Sequence, residues 1–155
     1  MAAGSDRANV HATAIAIGNL GVLIRGPSGS GKSDLALRCL ALTGSPLAPG
    51  PCRLIADDRV ELRCTDGGIE LTCPPTLAGQ LEVRAIGIVT VACMPSARLV
   101  LAVDLVSQSQ AIERLPEPQT TNILGVPVPR IEFHPFETSA PLKLLLAMTK
   151  LMVVP

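Results

Sequence analysis

One stretch of the chain, Gly26–Ser33 (GPSGSGKS), has residue types that can hold phosphate. It matches the pattern G-x-x-x-x-G-K-[ST], in which glycines let successive backbone N–H groups point at phosphate oxygens. Lys32 would add a positive charge for the β- and γ-phosphates, and the Ser33 hydroxyl is a Mg²⁺ ligand in this pattern. The sequence therefore predicts a P-loop that binds ATP with Mg²⁺ through Gly26, Pro27, Ser28, Gly29, Ser30, Gly31, Lys32 and Ser33.

The alternative to a P-loop is a glycine-rich surface turn that matches the pattern by coincidence. The residues on both sides of this stretch help to decide between the two. Apolar Val22–Ile24 precedes it and predicts a strand. Lys32–Leu42 follows with apolar residues at helical spacing, and Gly44 and Pro46 are stop signals. The positive end of the helix dipole would face a bound anion. This context favours the P-loop.

Two adjacent acids, Asp57 and Asp58, follow the short apolar segment Leu54–Ala56. A magnesium nucleotide needs a carboxylate opposite the P-loop, commonly at the end of a neighbouring strand. One carboxylate could face the metal while the other accepts a proton from an attacking hydroxyl. The alternative interpretation is a turn with solvated acids before Arg59.

The elements that must position these groups are a mixture of strands and helices. The predicted strands are Val10–Ile17 and Val22–Ile24, joined in a hairpin at Gly18-Asn19, then Leu54–Ala56, then Val60–Cys64 and Ile69–Thr72, joined at Asp66-Gly67-Gly68, and finally Ile86–Val91 and Leu99–Val103. Pro116–Thr121 is expected to be a loop and Leu142–Met152 a helix. The predicted fold class is α/β with a mixed central sheet and an antiparallel hairpin before the P-loop. We expect a single domain over residues 1–155, with its core at about 9–150.

Composition excludes several classes of protein. Thirteen Lys and Arg residues balance thirteen Asp and Glu residues, so the chain lacks the basic surface of a nucleic-acid binder. Five cysteines without a C-x-x-C pair predict buried reduced thiols instead of a zinc site or a disulfide framework. No run reaches the roughly 18 apolar residues of a membrane span, and Met1–Asn9 does not resemble a signal peptide. We expect a cytoplasmic protein without membrane contact.

Four segments together resemble one family, the C-terminal catalytic domain of bacterial HPr kinase/phosphorylase. They are Val10-His11-Ala12, Gly26–Leu37, Leu54–Glu61 and Leu81–Ile88. The resemblance covers roughly residues 9–148 and does not include the family's separate N-terminal domain. It implies a P-loop fold related to phosphoenolpyruvate carboxykinases, with a mixed central sheet. It also implies a homo-oligomer, which is a hexamer in the longer members.

The activity that the resemblance implies is phosphorylation of a serine on HPr, dependent on ATP and Mg²⁺. HPr is the small phosphocarrier protein of the sugar phosphotransferase system, and phosphorolysis is the reverse reaction. Two other functions could use the same loop. One is phosphorylation of a hydroxyl on a small metabolite, and the other is ATP binding by a regulatory module that transfers no phosphate.

The resemblance also assigns roles to residues near the predicted P-loop. His11 takes the place of an active-site histidine, although a packed or exposed strand histidine is the alternative from the local sequence alone. Asp57 and Asp58 match the acidic pair, and Asp58 is the better candidate for the catalytic base, which becomes the acid in the reverse reaction. Lys32 is the phosphate lysine, and Ser33 and Asp57 face the metal.

Two further positions come from the resemblance. Glu82 matches a second Mg²⁺ carboxylate, although alone it indicates a surface charge. Arg114 matches an active-site arginine that stabilises phosphoryl charge, with a solvated helical arginine as the alternative.

The chain departs from the family at Ala85, where glycine is usual, and at Pro135–Ser139, where the family has an arginine- and glycine-bearing loop associated with dephosphorylation. Because Glu137 replaces basic residues there, we expect kinase activity to exceed phosphorolysis.

Overall fold

The computed structural model of the chain describes residues 4–42, 46, 47 and 50–152. Within these residues there are eleven strands, two α-helices and a short 3₁₀ helix at Pro75–Leu77. The strands are β1 (Arg7–Val10), β2 (Thr13–Ile17), β3 (Leu20–Arg25), β4 (Cys52–Ala56), β5 (Val60–Thr65), β6 (Gly68–Thr72), β7 (Gln80–Val83), β8 (Gly87–Thr90), β9 (Ser96–Leu105), β10 (Gln119–Ile123) and β11 (Val126–Phe133). The helices are α1 (Lys32–Ala41) and α2 (Ala140–Met152).

Nine strands form one mixed central sheet, which confirms the predicted α/β class. Seven of them follow the order β1-β5-β6-β9-β3-β2-β4. β11 pairs with the second half of the long strand β9, and β10 pairs with β11. β9 is parallel to both β3 and β11, and the other neighbours in this sheet are antiparallel. β7 and β8 form a separate two-stranded sheet.

The hairpin expected before the glycine-rich stretch is confirmed as β2 and β3, with Ile17 opposite Leu20. Gly18 in the turn has a φ of +56°, which glycine adopts without steric cost. All five residues of β2 are buried because the strand lies between β3 and β4. The hairpin therefore places the end of β3 in the middle of the sheet.

Apolar side chains cover both faces of the central sheet. On one face, α1, α2 and β7 pack against a cluster that includes Ile15, Ile24 and Leu54. On the other face, a second cluster includes Leu23 and Leu71. The buried residues of both clusters are aliphatic or sulfur-containing, as the nearly aromatic-free composition predicts. Burial of these side chains is the main favourable term that holds the layers together.

The strand directions bring the candidate residues to one edge of the sheet. β3 and β4 are both antiparallel to β2, so they run the same way and their carboxyl ends lie at the same edge. β9 and β11 run with β3. The glycine-rich stretch after β3, the acids after β4 and the loop after β11 therefore all start from this edge. The beginning of β2 lies there as well.

One carboxylate and two arginines tie the ends of the three parallel strands together. Asp104 on β9 accepts hydrogen bonds from Arg25 Nε at 2.7 Å, Arg25 Nη2 at 2.9 Å and Arg130 Nε at 2.5 Å. Partial burial by itself would raise the pKa of Asp104. The hydrogen bonds from both arginines outweigh that effect and hold the pKa below its usual range, which keeps the carboxylate ionised at the sheet edge.

The prediction of one continuous strand over Val10–Ile17 is wrong, because two strands, β1 and β2, share this run. The chain leaves the strand at His11 and Ala12, because β1 pairs with β5 whereas β2 pairs with β3 and β4. Local alternation of apolar residues cannot reveal that two halves of a run have different partners. The break places His11 at the edge of the sheet instead of inside a strand.

β10 and β11 are absent from the sequence-based expectation, and the predicted loop Pro116–Thr121 includes the start of β10 at Gln119. Pro127 and Pro129 argue against a strand because proline lacks the N–H that a ladder needs. Both lie where β11 pairs with β10 only, since its pairing with β9 begins at Arg130. Proline is tolerated at such a strand edge.

The five cysteines are free thiols, as expected, but they differ in exposure. Cys39 and Cys52 are buried, and burial raises the pKa of Cys39 and raises that of Cys52 to about 12. Cys93 is exposed, so the expectation of burial is wrong for this residue.

The C-terminal helix α2 confirms the expectation of a helix at the end of the chain. Leu144, Leu145 and Met148 are fully buried against the sheet, whereas Leu146 is 44% exposed. The helix therefore contributes one apolar stripe to the core. No helix in the described ranges is long and apolar enough to cross a membrane.

Neighbouring leucines on α2 provide a matched test of this packing. Leu145→Ala should lower the free energy of unfolding by about 2–5 kcal/mol, because it leaves a cavity in the core. Leu146→Ala makes the same chemical change on the exposed face and should cost less than about 1 kcal/mol. Urea denaturation measures both values. Equal losses for the two variants would contradict the orientation of α2.

Candidate active site

The glycine-rich loop, defined here as Gly26–Gly31, connects the carboxyl end of β3 to α1. Gly29 and Gly31 have φ values of +80° and +100°, a left-handed backbone that glycine adopts freely. Gly31 is the N-cap of α1, and no side chain caps the helix. The first N–H groups of an α-helix have no partner within the helix and attract anions. The loop and the first turn of α1 are therefore suited to binding an anion.

The Lys32 side chain extends back to the beginning of the glycine-rich loop. Its ammonium group donates to the carbonyl oxygens of Gly26 at 2.8 Å and Pro27 at 3.1 Å. Burial lowers the pKa of Lys32, although the nearby carboxylates of Asp58 and Asp57 act in the opposite direction. The Lys32 ammonium group is thus held by backbone carbonyls of the loop and lies close enough to the acidic pair to feel its negative charge.

The Asp57 carboxylate, directly after β4, accepts hydrogen bonds from three different elements of the fold. Its Oδ1 accepts hydrogen bonds from Ser33 Oγ at 2.7 Å and Thr13 Oγ1 at 2.9 Å, and its Oδ2 accepts from the backbone N–H of Glu82 at 3.1 Å. The donors belong to α1, β2 and β7, and Asp57 is only 8% exposed. Three donors compensate for the burial of the carboxylate and fix its orientation.

Asp58 has different partners from Asp57, is more exposed and carries backbone strain. Its φ is +68°, and the N–H of Arg59 donates to the carbonyl of Asp57 at 2.8 Å, which closes a three-residue γ-turn around Asp58. γ-turns with positive φ are rare, and strain of this kind costs about 1–3 kcal/mol and clusters at functional sites. The turn explains why adjacent acids occupy different environments.

His11 and Asp58 form an exposed pair beside the loop. His11 Nδ1 lies 2.9 Å from Asp58 Oδ1, and the two side chains are 55% and 72% exposed. Both line an open groove of about 410 Å³, together with Asn9, Val10 and Arg59. The groove lets solvent or another molecule reach the Asp58 carboxylate.

The other predicted site residues differ in position. Glu82 is exposed and adjoins the site through its backbone N–H, which contacts Asp57. Arg114 lies in the irregular segment between β9 and β10, where it is exposed and makes no hydrogen bond or ion pair with any described residue. The alternative of a helical arginine is therefore wrong in its secondary structure. Among the described residues, the structure gives no hydrogen bond or ion pair that joins Arg114 to the candidate site.

The segment after β11 borders the other side of the glycine-rich loop. Phe136 packs against Gly31 so closely that a Cβ on Gly31 would lie 2.9 Å from its ring. Glu137 accepts a hydrogen bond from Lys143 Nζ at 2.5 Å, and His134 Nδ1 lies 3.4 Å from its second oxygen. The Lys143 hydrogen bond, with a smaller effect of His134, holds the pKa of Glu137 below its usual range. The Glu137 side chain is therefore held by Lys143 of α2 and by His134 of its own segment.

A sequence model of the HPr serine kinase C-terminal domain matches residues 3–148 of the chain. The chain belongs to this family. It is 39% identical over 139 residues to an HPr kinase/phosphorylase of Acidovorax sp. (strain JS42). That alignment covers 82% of this chain and 41% of the relative. The chain is also 38% identical over 133 residues to one of Bordetella petrii, covering 79% and 41%. The chain therefore spans about two-fifths of the length of these relatives.

The same family accounts for a structural match. The chain resembles the Hpr(Ser) kinase/phosphatase from Coxiella burnetii with a TM-score of 0.78 and 26% identity, over 94% of this chain and 97% of that one. The mixed sheet described above is therefore the fold of a solved member of the HPr serine kinase family.

Sequence reasoning missed two residues of this candidate site. Thr13 is fully buried and bonded to Asp57, and its only local signal is a hydroxyl within the apolar run from Ala12 to Ile17. Phe136 has no local signal, because its contact with Gly31 joins residues far apart in the chain. Both contacts follow from strand pairing and not from spacing in the sequence.

Thr13→Val tests whether the buried hydroxyl supports Asp57. The change keeps the side-chain shape and removes one donor, so the free energy of unfolding should fall by about 1–2 kcal/mol. A double-mutant cycle with Asp57→Asn, followed by urea denaturation, should give a coupling energy of about 1 kcal/mol. Thr90→Val, at an exposed position on β8, is the control and should be nearly neutral. A coupling energy of zero would contradict the assignment.

Proposed function

We propose that the chain is a protein serine kinase that uses ATP and Mg²⁺ to phosphorylate the phosphocarrier protein HPr. The observation that carries the proposal is the hydrogen bond between Ser33 and Asp57, because it joins the start of α1, directly after the glycine-rich loop, to the acidic pair. Gly26–Ser33 would act as a P-loop, in a fold related to that of phosphoenolpyruvate carboxykinases. The hairpin before the loop and the names of the relatives support this reading.

The glycine-rich loop would hold the triphosphate through its backbone. The left-handed glycines turn the loop, and the uncapped N–H groups at the start of α1 would donate to phosphate oxygens. Lys32 would turn from the carbonyls of Gly26 and Pro27 to the β- and γ-phosphates. The buried Ser30 hydroxyl, which has no partner among the described residues, is a further donor for the ligand.

Ser33 and Asp57 are the residues that would hold Mg²⁺, with Glu82 beside them. Mg²⁺ binds through one or two carboxylates and substrate phosphates and keeps several waters. The part of the chain that the structure describes has no group of three or more His, Cys, Asp or Glu side chains that could hold a metal ion. When bound, Mg²⁺ would neutralise charge on the transferring phosphoryl group. Thr13 and the Glu82 amide would keep Asp57 oriented.

Asp58 would accept the proton of the attacking serine hydroxyl. Its carboxylate is exposed to the groove and held by His11, so an acceptor protein could reach it. The Asp58 carboxylate is exposed and paired with His11, whereas Asp57 is buried among its donors, and this difference would separate the proton acceptor from the metal ligand. In the reverse reaction, the protonated carboxyl group would return the proton to the serine oxygen.

Further parts of the proposal rest on the family resemblance. Arg114 would stabilise the charge on the transferring phosphoryl group. The chain would form a homo-oligomer, as the hexameric longer members of the family do. It would act in the cytoplasm and bind neither nucleic acid nor membranes. A small-molecule kinase and an ATP-binding regulatory module remain the competing functions. The next experiment separates all three.

Transfer of labelled phosphate from ATP to purified HPr tests the proposed activity. Lys32→Ala should abolish transfer, and Asp58→Asn should lower kcat by about 100-fold or more while ATP still binds. Glu117→Gln, an exposed acid in the segment before β10, should leave the rate unchanged. Full activity of Asp58→Asn would contradict the assigned base. ATP binding without transfer to HPr would favour the module, and transfer only to a metabolite would favour the small-molecule kinase.

The two directions of the reaction should differ in rate. Glu137 occupies the segment where basic residues would bind inorganic phosphate, and Lys143 and His134 are engaged with it. We expect the forward rate to exceed phosphorolysis of serine-phosphorylated HPr at millimolar phosphate. Initial rates measured in both directions on the same preparation check this expectation. Comparable rates would show that Glu137 does not disfavour phosphorolysis.

A further inference from the structure

Phe136 is an exposed aromatic ring at the border of the glycine-rich loop. The chain has only two aromatic residues, Phe133 and Phe136, and Phe136 is 59% exposed. Atoms Cζ and Cε1 of its ring would lie 2.9 and 3.1 Å from a Cβ on Gly31. Exposure of a large apolar ring costs free energy that another contact could recover.

The backbone on both sides of Phe136 is fixed by α1 and by its own segment. Arg38 donates through Nη2 to the carbonyl of Pro135 and through Nη1 to that of Glu137 at 3.3 Å. Glu137 is in turn bonded to Lys143. An aromatic ring held in this way loses little conformational entropy when a flat ligand stacks on it.

The sheet topology places Phe136 at a defined end of the bound triphosphate. In the order β11-β9-β3-β2-β4, the glycine-rich loop follows β3 in the middle. Ser33 and Asp57, with Asp57 following β4, mark the side of the β- and γ-phosphates and the metal. The segment after β11 starts from the opposite side, so the α-phosphate and the nucleoside would extend toward it.

We propose that Phe136 is the stacking platform for the base of the nucleotide, and this inference rests on the proposed function. The ligand class is a nucleoside triphosphate, whose flat base would lie on the exposed face of the ring. Stacking on an aromatic ring is tolerant of base identity, because every base has a π-face. Phe136 would therefore add affinity for the nucleoside without selecting adenine over guanine.

Calorimetric titration with two magnesium-bound ligands tests the platform. ATP contains a base and inorganic tripolyphosphate does not, so the pair separates stacking from phosphate binding. Phe136→Ala should raise the Kd of ATP and of GTP by about fivefold or more and leave the Kd of tripolyphosphate unchanged. Phe136→Tyr keeps the ring and should retain ATP affinity. Leu115→Ala, which truncates an apolar side chain that is 89% exposed, is the matched control and should change neither Kd.

Several outcomes would overturn the inference. Equal weakening of ATP and tripolyphosphate in Phe136→Ala would show that the ring supports the loop and not the base. An unchanged Kd for ATP would exclude stacking. If the wild-type chain bound neither ligand, the proposed phosphate site itself would fail, and the inference would fail with it. Thermal unfolding of each variant, followed by circular dichroism, shows whether a weaker variant is still folded.

Discussion

The structure around the site depends on one contact, the hydrogen bond from Ser33 Oγ to Asp57 Oδ1. It joins the start of α1 to the end of β4, and Thr13 and the Glu82 amide complete the set of donors around the same carboxylate. A buried carboxylate without donors would cost free energy, so each donor that folding brings to Asp57 stabilises the fold and the site together. This shared dependence explains why β2, α1 and β7 converge where the phosphates of a nucleotide would bind.

Strand direction turns this contact into a site with two sides. β3, β4, β9 and β11 all end at the same edge of the sheet, and the glycine-rich loop leaves that edge between β4 and β11. Asp57 and Asp58 lie on the β4 side, and the segment with Phe136 and Glu137 lies on the β11 side. One side would therefore serve the chemistry and the acceptor, and the other the nucleoside.

Local signals predicted the parts of the site that are continuous in sequence. Gly26–Ser33 has its own pattern and begins a helix, and Asp57 and Asp58 end an apolar strand, so short-range reasoning found them. The contact of Thr13 with Asp57 spans 44 residues, and that of Phe136 with Gly31 depends on the position of β11, which two prolines concealed. Arg114 shows the limit of reasoning from resemblance. The resemblance implies that it belongs to the site, whereas in the structure it is exposed and forms no hydrogen bond or ion pair with a described residue.

In the proposed function, the glycine-rich loop and Asp57 form one site for a magnesium nucleotide. A crystal structure of the chain with Mg²⁺ and a non-hydrolysable ATP analogue tests it most directly. We expect the phosphates to lie within hydrogen-bond distance of the backbone N–H groups of residues 29–33, with Ser33 and Asp57 on the same metal ion. A nucleotide bound elsewhere, or Asp57 facing away from the metal, would contradict it.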